Sequence, residues 1–185
     1  MNKIRLTYLV ITLAFVGISA QTYALNVAPV APQIEAGFSP DGDSQALVDR
    51  IIQSAQKTIR LSAYTFTSRS VTNALIDAQH RGVDVAIIVD YKSNMEDDRN
   101  GTARRALDAL NKAGVTVRTI SNYPIHHDKF IVADGLHVET GSFNYSYSAA
   151  EKNSENVLVV WNNPQLAASY LKHWNSRFDQ GVDYQ

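Results

Sequence analysis

Hydrophobic positions change their period several times along this chain, and each change predicts an element. A 13-residue apolar run, Leu6 to Ile18, follows Lys3 and Arg5 and precedes the small-residue stretch Thr22-Tyr23-Ala24. That is the order of an export signal over residues 1–24, with cleavage after Ala24. The alternative, a retained anchor, is disfavoured because the run is short for a membrane span. Residues 25–33, rich in Pro and Ala, read as a linker. Beyond it, Ile34 to Phe38 predicts a strand. "DSQALVDRIIQSAQ" then places Ala46, Leu47, Ile51 and Ile52 at helical spacing, with Asp43 and Ser44 as the expected cap. "TIRLSAYTF" predicts a strand and "SVTNALIDAQHRG" a second helix, with Ser70 as N-cap, Arg81 in the last turn and Gly82 just beyond.

Val83 to Asp90 is apolar apart from Asp84 and its final acid, and its unbroken run Val85 to Val89 is that of a central strand covered on both faces. A polar loop, Tyr91 to Gly101, leads into the helix "TARRALDALNKAG" and the strand "VTVRTI". Helices alternating with apolar strands predict a largely parallel sheet. From Lys129 the rhythm changes: "KFIVAD" and "LHVETG" are short strands joined at Asp134-Gly135, a hairpin signal. "ENVLVVW" adds a strand, and "PQLAASYLKHWNSRFDQ" an amphipathic helix with Pro164 in its first turn. The expected fold class is α/β: a single domain over residues 34–185, with a mixed β-sheet flanked by α-helices on both faces.

Composition narrows the function. The 185 residues carry a net charge of −1, and removal of Lys3 and Arg5 with the signal leaves 15 basic against 18 acidic side chains. A chain of net charge −3 does not coat nucleic acid by bulk charge, so any site for a polyanion must be local. The absence of cysteine excludes a disulfide framework, a thiolate zinc site and a cysteine nucleophile. An exported, cysteine-free domain fits a bacterial periplasm most simply, with full secretion as the alternative and no stable membrane association after signal removal.

Candidate chemistry concentrates in "HHDKFIVADGLHVETGSFN", His126 to Asn144. His127 and Lys129 are two apart and share a face if the strand runs through them, whereas His126 and Asp128 then point the other way. Ser142 and Asn144 follow the return strand, so the hairpin brings them back beside its start. These four side chains are expected to form one cluster at the strand ends, where α/β sheets bind ligands.

The pattern His127-x-Lys129-x4-Asp134, followed after six residues by Gly141-Ser142-x-Asn144, resembles the signature of the phospholipase D superfamily. Glu155 falls where that family keeps an acidic partner for the histidine. "LSAYTFTS", "LIDAQHRGVDVAIIVD" and "ALNKAGVTVR" look like its scaffold, and the small single-motif bacterial endonucleases are the most similar branch. The resemblance implies catalysis by His127, Lys129, Ser142, Asn144 and Glu155, with Asp134 and Gly141 as structural members of the motif.

Those residue types suit a phosphodiester. Neutral imidazole at His127 attacks phosphorus and forms a covalent phosphohistidine. Lys129 supplies charge for the phosphate oxygens, while Ser142 and Asn144 supply uncharged donors. Glu155 accepts the other ring N–H of His127. No metal and no other cofactor is required. Larger relatives carry the motif twice, so a single-motif chain resembling them implies a homodimer with one shared site, where one His127 attacks and the other protonates the leaving oxygen.

The expected function is a metal-independent, sequence-nonspecific endonuclease acting on single- and double-stranded DNA, or on RNA. Two alternatives stay open: a phospholipase D or phosphatidyl transferase with the same chemistry, and a non-enzymatic nucleic-acid-binding module. Lys92, Arg99, Arg104, Arg105, Lys112 and Arg118 either guide a nucleic-acid backbone or are ordinary solvated charges. Phe143, Tyr145 and Tyr147 either stack on bases or pack the core and an interface. His126, His127 and Asp128 form no expected metal site, because strand neighbours diverge. His80, His137 and His173 read as structural or surface residues.

Overall fold

The hydrophobic periods translate into eight strands and five α-helices in a computed structural model that describes residues 33–40 and 42–185. The expected export signal and all but the last residue of the expected linker lie outside the described residues; Gln33 already belongs to the first strand. In chain order the elements are β1 (Gln33–Ser39), α1 (Asp43–Ser54), β2 (Thr58–Ala63), α2 (Arg69–His80), β3 (Asp84–Asp90), α3 (Thr102–Lys112) and β4 (Thr116–Ile120). The second half holds β5 (Lys129–Ala133), β6 (His137–Gly141), α4 (Tyr147–Glu151), β7 (Glu155–Trp161), α5 (Pro164–Phe178) and β8 (Val182–Asp183). One sheet runs in the order β1-β7-β6-β5-β2-β3-β4-β8. β2, β3 and β4 are parallel, and every other pairing is antiparallel. The sheet is therefore mixed.

Strand alternation divides the core between the two faces. Val85, Ile87 and Val89 of β3 pack with Ile131 and Ala133 of β5 under α1, α2 and α3. Ala86 and Ile88, with Phe130 and Val132, meet Ala167 and Trp174 of α5 on the other face. This double cover explains the unbroken apolar run. Trp174 also donates its indole N–H to the Leu61 carbonyl at 2.9 Å, which locks α5 to the middle of the sheet. Among the described residues, no helix is long and apolar enough to cross a membrane.

Several local expectations are corrected. The N-cap of α2 is Ser68, whose Oγ accepts from the Val71 N–H, whereas Ser70 lies inside the helix and donates to Asp49. Two serines flank Arg69, and the one chosen starts a helix that buries Val71, Thr72 and Leu75. Helix α1 begins after Gly42, at φ 93°, with Asp43 in its first turn and no side-chain cap. The polar loop after β3 contains a π-helical turn, Lys92–Glu96. The short elements α4 and β8 carry too few residues to show a period.

Asp134 and Gly135, at φ 57° and 63°, both adopt the left-handed conformation of a tight hairpin turn. The Asp134 carboxylate also reaches the α1–β2 connection, where it accepts the N–H groups of Gln56, Lys57 and Thr58 at 2.9, 2.7 and 2.9 Å. Partial burial alone would raise its pKa, but the backbone N–H groups of Thr58, Gln56 and Lys57 outweigh this and hold it below the ordinary 3.8. Stability from this group is therefore full above about pH 4 and is lost as pH falls through the lower folded value. Asp134→Ala is expected to lose about 2 kcal/mol near neutrality in urea unfolding, with a smaller penalty near pH 2. An equal penalty at both pH values would refute this role.

Candidate active site

The C-terminal ends of β2, β3 and β6 meet the N-terminal ends of β5 and β7 along one edge of the sheet. Lys129 opens β5, and His127 lies just before it rather than within the strand. Their meeting point is Tyr64, immediately after β2. Its ring lies 4.8 Å from the His127 imidazole, centroid to centroid, and 5.2 Å from Lys129 Nζ. Lys129 is buried and donates to the His127 carbonyl at 2.8 Å. Burial lowers its pKa from the ordinary lysine value, against the opposing pull of Asp128 and Glu155. His127 is exposed, and its ring makes no hydrogen bond to another side chain among the described residues.

Ser142 and Asn144 sit in the turn after β6, beside the start of β7. Ser142 Oγ donates to Glu155 Oε2 at 2.6 Å and accepts from the Asn156 N–H at 3.0 Å. Asn153 Nδ2 donates to the other carboxylate oxygen at 2.9 Å. Glu155 is thus occupied by Ser142 and Asn153, and the expected bond to the His127 ring is not formed. The turn after β6 sets Ser142 beside the start of β7, so its hydroxyl takes the carboxylate instead. Asn144 Oδ1 is buried without a partner among the described residues. Unpaired buried polar atoms are costly, and functional sites are a common place to find them.

Both chain neighbours of His127 are anchored, which fixes its backbone. The His126 N–H donates to Asp90 Oδ2 at 2.8 Å, and its ring Nε2 lies 2.8 Å from Ser62 Oγ. Burial lowers the His126 pKa, although Asp128 and Asp90 act against it. Asp128 Oδ2 lies 2.7 Å from His173 Nε2 on α5. The π-helical turn fixes Tyr64: Asn94 Nδ2 donates to the carbonyls of Tyr64 and Asp90, while its Oδ1 accepts from the Phe66 N–H. Tyr64, Asp90, Asn94 and His173 were not among the expected site residues. The sequence signal available for Tyr64 was its place at the end of an apolar strand beside the one that carries Lys129. Asp90, Asn94 and His173 gave none.

Other expectations resolve at this edge. Phe143 and Tyr145 are fully buried and cannot stack on bases, whereas Tyr147 is exposed. The Tyr145 hydroxyl donates to Glu139 at 2.7 Å; burial raises the Glu139 pKa to about 8, so a protonated carboxyl backs the motif turn near neutrality. Among the basic residues, Lys92 pairs with Asp97 and Arg118 with Asp183. Arg104 donates to the Met95 carbonyl and Arg105 to that of Asn100. Four of the six are therefore engaged internally, which weakens the case for a basic margin. His137 accepts from the Asn162 N–H, a structural contact. Beside His127 and Lys129 opens a cleft of about 420 Å³. A larger depression of about 700 Å³, between the π-helical turn and the C-terminus, contains none of the motif residues.

Residues 48–180 match the family model described as cardiolipin synthase, PLD-like domain. The solved structure of Nuc from Salmonella typhimurium, a phospholipase D family member, is 44% identical, with a TM-score of 0.81 over 84% of this chain and 99% of that one. NucT from Helicobacter pylori has the same fold, with a TM-score of 0.74 at 23% identity over 83% of this chain and 100% of that one. The phospholipase D of Rickettsia bellii is 38% identical over 138 residues, 75% of this chain and 65% of the relative. The chain spans just under two thirds of the length of the first curated relatives it matches. With the match running from within α1 past the end of α5, and the motif gathered on one sheet edge, the chain belongs to the PLD-like domain family of the phospholipase D superfamily.

Proposed function

We propose that the protein is a metal-independent phosphodiesterase, acting as a sequence-nonspecific endonuclease on DNA. The observation that carries this reading is the exposed His127 imidazole, without a side-chain hydrogen bond among the described residues, held against Tyr64 beside the buried Lys129 ammonium. A ring so placed is available to attack. His127 forms a bond to phosphorus as the P–O bond to the leaving group breaks, and that oxygen takes a proton from an acid. Water then attacks the phosphohistidine, returns the imidazole and leaves a phosphate monoester. Lys129, Ser142 and Asn144 stabilise the charge that builds on the phosphate oxygens.

The acid is His127 of the partner subunit in a homodimer. One chain carries one such histidine, and a two-fold axis sets identical residues face to face. Support comes from a sheet face on β1 and β7 where, among the described residues, Ile34, Phe38 and Leu158 are exposed. Phe38 pairs in register with Asn156, next to Glu155 and Ser142, so this face borders the site. Phe38→Asp is expected to yield monomers in sedimentation and to lower activity by ~10²–10⁴, the usual worth of an acid. A fully active monomer would sink the shared site.

DNA is favoured over lipid by the cleft beside His127: apart from Phe130 and Gly141 its lining residues all carry a polar side-chain group, and no aliphatic side chain is there to receive an acyl chain. The similarity of the motif to single-motif endonucleases points the same way. The export signal read in residues 1–24 would place the enzyme in the periplasm, facing exposed DNA. The test is plasmid DNA in excess EDTA beside phospholipid micelles. Cutting of the plasmid alone supports the reading; turnover of lipid alone selects a phospholipase, and binding without turnover a non-enzymatic module.

A further inference from the structure

We propose that the cleft between the β5–β6 hairpin and α5 is a nucleoside subsite, which takes the sugar and base attached to the scissile phosphate, with Tyr170 and His173 as the residues that recognise them. This rests on the reading that His127 attacks a phosphodiester of nucleic acid. The cleft is continuous with that chemistry, since His127 and Lys129 form one wall and Ser169, Tyr170 and His173 of α5 form another. Its volume of about 420 Å³ lies within the usual range for small-ligand sites.

Two rings are held ready there. Phe130, itself buried, packs edge-on against Tyr170 at 5.0 Å and lies 6.1 Å from the His173 ring. Asp128 fixes His173 through its Nε2, yet 39% of the side chain remains exposed. Orienting a ring in advance reduces the entropy lost on binding. Thr140 and Ser169 add hydroxyls to the lining, suited to a sugar or to the edge of a base.

Charge distinguishes the occupant. The Asp128 carboxylate lines the cleft and would repel a second phosphate, while the absence of any aliphatic side chain from the lining suits acyl chains poorly. A neutral, flat, polar-edged group is what remains. Because Asp128 adjoins His127 in the chain, binding there also steadies the backbone of the nucleophile.

Calorimetric titration of the purified protein with thymidine 3′-phosphate, thymidine 5′-phosphate, glycerol 3-phosphate and methyl phosphate tests the proposal independently of turnover. At least one thymidine phosphate is expected to bind about tenfold tighter than methyl phosphate, in the range of a single base–aromatic stack. Tyr170→Ala and His173→Gln should each remove most of that difference while methyl phosphate binding changes little, and Tyr170→Phe, which keeps the ring, should retain it. A misfolded variant would lose both ligands together, and the difference retained by Tyr170→Phe excludes that explanation. Thymidine phosphates bound no tighter than methyl phosphate, or glycerol 3-phosphate bound as tightly as they are, would overturn the subsite. The plasmid assay decides the nuclease reading separately, so nucleotide binding with an uncut plasmid would remove that reading alone.

Discussion

Asparagine in place of His127 is expected to abolish phosphodiester cleavage and leave the fold intact. The side chain is exposed, touches the Tyr64 ring and makes no side-chain hydrogen bond among the described residues, so little packing depends on it. Surface changes of this kind shift stability by about 0.5 kcal/mol or less. Asparagine cannot form the covalent intermediate, and loss of a nucleophile in a cooperating set typically removes on the order of 10⁴–10⁶ in rate. The measurement is plasmid cleavage in EDTA beside a thermal unfolding curve. Silence with an unchanged melting temperature would show that cleavage depends on the His127 imidazole; retained cutting would move the attack elsewhere.

Gly141→Ala should damage fold and activity together. A Cβ on Gly141 would lie 2.1 Å from the Asn156 carbonyl oxygen and 2.9 Å from its carbon. Both are backbone atoms of the neighbouring strand and cannot swing aside. Gly141 pairs in register with Val157, and the Ser142 N–H donates to the Asn156 carbonyl at 3.1 Å. Room for a methyl group therefore requires β6 and β7 to separate where Ser142 meets Glu155. Overpacking in a fitted site costs about 1–3 kcal/mol, and a backbone clash belongs at the upper end. Displacing the donors proposed to hold the phosphate by about 1 Å is expected to cost about 10²-fold in rate. Urea unfolding with wild-type stability, or turnover within a few-fold of wild type, would contradict the close approach.

The two substitutions act at different levels of one arrangement. His127 is the proposed nucleophile on a surface that tolerates change, whereas Gly141 is the absence of a side chain where two strands touch. Behind them, the buried Glu139–Tyr145 pair supports the same turn from the core. His127 can stand exposed and still be held in place because the backbone that carries it is pinned on both sides, by His126 to Asp90 and by Asp128 to His173.

Much of this was determined by the sequence alone. The apolar run of β3, the Asp134-Gly135 turn and the helical spacing of α1, α2, α3 and α5 report burial and backbone preference within a few residues of themselves. The spacing from His127 to Asn144 was legible for the same reason, since one hairpin spans it. What only the tertiary structure decided depends on residues remote in the chain. Asp128 meets His173 across 45 residues and His126 meets Ser62 across 64. Tyr64 becomes the seat of His127 because β2 pairs with β5, and Asn94 holds it there from an unpredicted π-helical turn. Even the partner of Glu155 was settled by strand register, which brings Ser142 to it across the start of β7. Periodicity records which face of an element is buried, but not which distant side chain lies opposite; that is fixed only when the strands pair and the helices pack.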